Sequence, residues 1–185
     1  PFKKIGEDFV EGAIGDLITL TLDPSLEYGA VTVSVSELGT LEKPIRLVEN
    51  NKVIAHAIDQ QHAQYLSKKP TTHKGNVVLS PGKLSHDELT AAAPQVLEIL
   101  QFSGLFFSPH SGTFSSEIRL ARLFDHKSGK ITYIKGGSLS GSIAENFKNA
   151  QFSKETAKKA QFDYHQSDGY FGPKYALLSQ VSVVG

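Results

Sequence analysis

Cysteine, methionine and tryptophan are all missing from this chain. Without cysteine there is no disulfide and no thiolate chemistry. Without methionine the chain cannot begin at its own start codon, so a fragment or processed product of a longer protein is expected. Net charge is missing too: Lys and Arg together number 19, as do Asp and Glu. A duplex-DNA binder usually presents a basic face, because phosphate contacts supply most of its affinity. The balance therefore argues against a nucleic-acid partner. No apolar run approaches the ~20 residues that cross a bilayer, and no signal peptide is evident. No membrane partner and a cytoplasmic location are expected.

Catalytic signatures are sparse as well. A zinc peptidase needs two His on one helical face with a Glu between them, so that metal and general base converge. None of the seven His has another three or four residues away. His56 and His62 are the nearest pair, at a spacing that suits neither a helix face nor a strand face. His86 falls at a helix start and His126 at a hairpin tip. His165 is close to Asp168, and His110 adjoins Ser111, but neither pair is accompanied by the rest of a triad. Asp87 and Glu88 are explained by the helix dipole. No P-loop, dinucleotide fingerprint or EF-hand occurs. No catalytic residue and no metal ligand is assigned within this chain.

What is present is the composition of a soluble globular domain, 39% hydrophobic and 21% charged over 185 residues. That length suits a single domain, 1–185. Residues 17–22 (LITLTL) and 30–35 (AVTVSV) alternate as half-buried strands. Residues 44–49 and 52–58 form a hairpin through Asn50-Asn51, because Asn tolerates positive φ. Asp59 caps a helix to Leu66, and 76–80 is a strand. Ser85 and Glu88 make a capping box. Its helix carries Leu89, Ala93, Val96, Leu97 and Leu100 on one face, kinked at Pro94. Residues 102–107 read as a buried strand. Residues 118–124 and 130–135 pair as a hairpin. Ser142 and Glu145 make a second capping box, with a helix to about Ala150. Residues 153–160 read as a solvated helix or loop, and 175–184 as a closing strand. Many strands without a βαβ rhythm give an α+β class: a largely antiparallel, strongly twisted or barrel-like sheet with a few short helices.

Ser111 to Asn149 is the organising stretch. It holds the S-G-x-F-S entry (Ser111 to Ser115), a hairpin with a Gly129-Lys130 turn, and a Gly-rich segment, Gly136 to Gly141, before a helix. Glycine serves where φ is positive or where something approaches the main chain. Gly112, Thr113, Ser115, Gly137, Ser138 and Gly141 are the candidate residues, either as sheet-edge turns or as part of a peptide cleft.

This pattern, S-G-x-F-S, then the hairpin, then K-G-x-S-x-S-G, resembles the C-terminal domain of the TldD/PmbA family. Those bacterial and archaeal proteins are associated with zinc-dependent peptidase activity. Residues 17–20 with Asp23-Pro24, 37–39, the 47–54 hairpin, the 61–66 helix and 172–185 resemble further family segments in the same order. The resemblance implies a metal helix upstream of Pro1 and a Cys ligand in a Gly-rich loop near the C-terminus. The matching loop, Asp168 to Gly172, has no Cys. The chain is therefore closer to the PmbA-type half, which lacks the metal site. Zinc is expected, if anywhere, in the full-length protein or its partner. The resemblance further implies a peptide or unfolded polypeptide substrate and a homo- or heterodimer with a like subunit. A non-catalytic binding or assembly domain without peptidase activity is the alternative. A gyrase role, sometimes attached to the family, finds no support in the charge balance.

Overall fold

The computed structural model describes residues 3–162 and 167–185. Strand β1 (Leu20–Asp23) lies between β2 (Ile45–Glu49) and β4 (Asn76–Leu79), antiparallel to both. β2 turns back into β3 (Lys52–Val53) through Asn50 and Asn51, whose φ values of 46° and 66° are those of a two-residue hairpin turn. α1 (Gln60–Tyr65) follows, with Asp59 at its N-cap. On the far side β4 pairs in parallel with β11 (Ser167–Pro173), which is antiparallel to β10 (Thr156–Phe162). This gives the six-stranded order β10-β11-β4-β1-β2-β3.

A second sheet runs β13-β8-β6-β5, with β7 pairing farther along β6. Its frame is the long hairpin of β5 (Gln95–Ser108) and β6 (Thr113–Asp125). β7 (Lys130–Ile134), β8 (Ser138–Ser142) and β13 (Ser182–Val184) complete it. A short ribbon of β9 (Gln151–Phe152) and β12 (Ala176–Leu177) stands apart from both sheets. The helices α2 (His86–Thr90) and α3 (Ile143–Asn146) are single turns. The expected α+β class, mostly antiparallel with few short helices, is what the structure shows. The sheets stay open rather than closing into a barrel.

Two apolar clusters hold these layers. One gathers Val10, Ile18, Val48, Ala150 and Phe152. The other gathers Ile118, Ala121 and Leu139 under the second sheet. Three buried asparagines tie irregular backbone to them. Asn51 accepts from Val10 N–H at 3.0 Å and donates to Val10 O at 2.8 Å. Asn76 accepts from Val31 N–H and donates to Asp23 O and Val31 O. Asn146 accepts from Ser142 N–H at 2.7 Å and donates to Ser179 O at 2.9 Å. Each supplies partners that a loop cannot find in a ladder, and a buried amide without one costs free energy.

Several sequence expectations change for identifiable reasons. Residues 30–35 form no strand, because Val31 spends both backbone groups on Asn76. The Ser85 helix has its full capping box but ends at Thr90. After Pro94 the chain becomes β5, where Val96 and Leu97 pair with β6 and Leu100 falls at a shift in register. Residues 102–107 are indeed strand, but Leu105, Phe106 and Phe107 are 58%, 75% and 51% exposed rather than buried. Residues 156–160 are strand, because β11 supplies a ladder partner. The closing strand is broken in two at Gln180, whose φ is 59°. At Ser142 half of the expected box forms. Its Oγ accepts from Glu145 N–H, but its own N–H goes to Asn146 while Glu145 pairs with Lys148. That helix stops at Asn146, well short of Ala150.

Candidate functional site

The six candidate residues belong to the β5–β6 turn, the start of β6, or β8 and its entry. Gly112 makes the turn with φ of 67°. Only Gly136 and Gly137 form the second turn, with φ of 85° and 90°. Ser138 to Ser142, expected to be partly turn, is strand β8. A Cβ at Gly137 would lie 2.9 Å from Val184 O, so its bareness lets the final strand close over the turn. Gly141 has no such freedom either: a Cβ there would meet Asn146 Oδ1 at 2.1 Å and Phe114 Cζ at 2.7 Å.

Register then sorts these residues by face. Phe106 pairs with Ser115, Ser115 with Ser140, and Ser140 with Ser182. Directly opposed residues share a face, so these four form one row across the sheet. Ser108, Thr113 and Ser142 form the next row on that face. Phe107, Phe114 and Gly141 make a row on the other face. The sequence holds the trace of this in hydroxyls at alternate positions: 113 and 115, and 138, 140 and 142.

A groove of about 630 Å³ opens where these rows meet α3 and the Gln180 turn. Thr113, Ser115 and Gly141 line it, with Phe107, Phe114 and Gln180. Gly112, Gly137 and Ser138 do not. Phe106, Asn146 and Ser182 also line it and were not among the residues singled out from sequence. Glu145 is the one ionisable lining residue. The surface therefore offers aromatic contacts and hydroxyl or main-chain hydrogen bonds, but little charge. A second depression of about 750 Å³, between Leu38 to Thr40 and α1, is lined by Gln60, Gln61 and Gln64 and carries no ionisable group.

Several histidines each have one close partner, among them His73, whose Nδ1 lies 3.1 Å from Oε1 of the buried Glu42. His56 Nε2–H donates to Lys3 O at 2.9 Å, and His62 bonds Asp59 at 2.8 Å. His126 Nε2–H donates to Thr90 O at 2.7 Å. Ser111 Oγ bonds Thr113 Oγ1 rather than His110. His165 lies outside the described residues. His86 enters an extended polar network: its Nε2 contacts Glu98 Oε1 at 2.9 Å and its ring packs on Tyr175. Glu98 also accepts two bonds from Arg122, at 2.8 and 2.5 Å. The hydrogen bond to Glu98 raises the Arg122 guanidinium above its ordinary value. The network ties α2 to the β5–β6 hairpin. Among the described residues no three His, Cys, Asp or Glu converge as a metal site. The donor set among the described residues does not fit zinc.

The family model for the PmbA/TldA metallopeptidase C-terminal domain matches residues 4–185. The chain belongs to that family. The uncharacterized protein MJ0231 of Methanocaldococcus jannaschii is 28% identical over 156 residues, covering 80% of this chain and 36% of that protein. TldE from Thermococcus kodakarensis superposes with a TM-score of 0.77 at 18% identity, over 98% of this chain and 42% of TldE. A proposed modulator of a DNA gyrase from Thermotoga maritima gives 0.71 at 17%, over 98% and 41%. At such identities the two superpositions speak for the fold alone. This PmbA/TldD-type chain spans about two fifths of these proteins' lengths. No helix among its described residues is long and apolar enough to cross a membrane.

Proposed function

We propose that this domain forms a wall of a peptide cleft, and a subunit interface, in a PmbA/TldD-type metallopeptidase system. It serves either the catalytic subunit or its non-catalytic partner. The observation that carries this reading is the groove at the β6–β8 end. Its Phe107-Phe114-Gly141 row and its hydroxyl rim suit an extended peptide, whose main chain needs hydrogen bonds and whose side chains need apolar contact. Any zinc and the bond-breaking groups belong to residues outside this chain, in the full-length protein or in a like subunit. When bound, zinc would activate the attacking water. The residues here bind and orient. A cytoplasmic setting suits such a role.

The test uses the full-length protein with an unstructured peptide. Ser140→Trp fills the groove from the rim. Peptide affinity should fall by about tenfold or more, the equivalent of ~1.4 kcal/mol. Unchanged affinity would remove the groove from the cleft. Stoichiometric zinc with peptide cleavage in the full-length protein, alone or with its partner, supports the peptidase system. Their joint absence leaves the non-catalytic binding or assembly reading.

A further inference from the structure

The groove at the β6–β8 end is nearly uncharged. Among the described residues that line it only Glu145, on α3, ionises. The rim hydroxyls of Thr113, Ser115 and Ser140 both donate and accept, so they serve a peptide's hydrogen bonds without distinguishing its charges. The rings of Phe106, Phe107 and Phe114 carry negative faces, which favour a cation over an anion. An incoming carboxylate would need N–H donors, and three at the start of α3 are already spent. Ser142 N–H goes to Asn146 Oδ1 at 2.7 Å, Ile143 N–H to Gly112 O at 2.9 Å and Glu145 N–H to Ser142 Oγ at 3.3 Å. The Glu145 carboxylate meets Lys148, whose Nζ lies 3.1 and 2.9 Å from its two oxygens. Both side chains are largely exposed, at 59% for Glu145 and 41% for Lys148, and a pair so open to water contributes little. Lys148 is fixed at its main chain, where its carbonyl accepts from the N–H groups of Ile14 and Gly15. Only its flexible stem brings the ammonium to Glu145. A second ammonium can replace it at small cost, and the displaced Lys148 head can turn into water without disturbing the backbone.

We infer that Glu145 sets the charge preference of this groove: it takes extended peptides that bring an ammonium group to α3 and turns away those that bring a carboxylate there. The ammonium is either a free α-amino group or a Lys side chain, since both offer the same donors to the Glu145 oxygens. Glu145 is thus a specificity-determining residue, and the aromatic and hydroxyl rows supply the charge-blind part of the contact. A like charge set against Glu145 costs free energy, so discrimination comes from repulsion as well as attraction. The inference rests on the reading of the groove as a peptide cleft and names which peptides that cleft prefers.

The test uses the full-length protein and a short unstructured peptide of Ala, Ser and Phe, N-acetylated and C-amidated. Its versions carry one Lys or one Glu at each position in turn, or a free α-amino group, and affinity is read by isothermal titration calorimetry at low salt. The best-placed Lys peptide, or the free-amine peptide, should bind about three- to tenfold more tightly than its Glu or acetylated counterpart, the scale of a partly shielded ion pair. Glu145→Gln should abolish that preference and Glu145→Lys should reverse it, which a merely structural role for Glu145 would not do. Lys148→Gln should widen it by removing the competing ammonium. A preference confined to the free amine assigns the charge to the peptide's N-terminus, and one confined to Lys assigns it to a side chain. Equal affinity for Lys and Glu peptides at every position with no effect of acetylation, or a preference that survives Glu145→Gln, would overturn the inference while the cleft still stands. No binding of any peptide, the neutral one included, would instead remove the cleft and this inference with it.

Discussion

Replacing Asn146 with Ala should destabilise the domain by about 2–4 kcal/mol. Its side chain is 1% exposed and makes two hydrogen bonds to backbone that has no ladder partner there: Ser142 N–H at 2.7 Å and Ser179 O at 2.9 Å. Removing it leaves one donor and one acceptor stranded. Each costs about 1–3 kcal/mol when buried, and the adjoining groove lets some water reach the vacated space, which trims the sum. A domain of ~150–250 residues loses about 2–4 °C of melting temperature per kcal/mol, so the midpoint should drop by roughly 4–16 °C. Urea unfolding followed by far-ultraviolet circular dichroism reads the first figure and a thermal scan the second. Asn146→Asp sharpens the test. It keeps the acceptor for Ser142, loses the donor to Ser179 and buries a carboxylate. Burial raises that carboxyl's pKa above its unfolded value, so lowering the pH should recover part of the lost stability as the acid regains a donor. A loss below about 1 kcal/mol for the Ala variant, with the Ser142 amide exchanging at its original rate, would refute the role given to Asn146.

Glu98→Ala should cost about 2 kcal/mol, less than a fully buried pair would, because it strands Arg122 and His86 at a partly exposed site. Chemical denaturation measures it, and Arg122→Met in the same background should restore part of the loss. Gly169→Ala should destabilise more than an ordinary surface change, since its Cβ would sit 1.9 Å from Asn76 Oδ1; hydrogen exchange at Val31, which Asn76 holds, should accelerate. Ser85→Ala should remove about 1 kcal/mol by opening the capping box of α2. Acid should weaken the fold in a defined direction. Hydrogen bonds from His62, Ser85 and Ser128 hold the carboxyls of Asp59, Glu88 and Asp125 below their ordinary values. Their contribution is present above about pH 4, the ordinary carboxylate range, and is lost as pH falls through the depressed folded values. Unfolding curves at stepped pH should show this, and Glu88→Gln should flatten the slope. Stability that rises on acidification below about pH 4 would contradict it.

Local rules located what depends on a few neighbouring residues. The Asn50-Asn51 hairpin, the Asp59 cap, the full box at Ser85 and the Gly129 hairpin are short-range events, fixed by φ preference or by a side chain three positions from its partner amide. The same rules went astray where the deciding partner was distant in sequence. Residues 96–100 satisfy helical spacing, yet the helix stops at Thr90 and β6 offers a long ladder partner, so tertiary pairing overrode periodicity. Residues 30–35 alternate as a strand should, yet Asn76, 45 positions from Val31, takes the backbone groups that a strand would have used. Of the candidate site, the two Gly turns and the alternating hydroxyls were visible, whereas Phe107, Asn146 and Gln180 were not. Nothing near them in sequence marks where β5, α3 and the broken last strand converge.

By itself, then, the sequence determined the α+β class, the family, the turns and caps, and the balance of charge. Each of these is written in residue type and short spacing. The tertiary structure alone decided which hydroxyls share a face, which asparagines clamp loops, and that the longest strand lies at a sheet edge. Those outcomes depend on register between strands far apart in the chain, and a slip of one residue would turn every side chain of a strand to the opposite face.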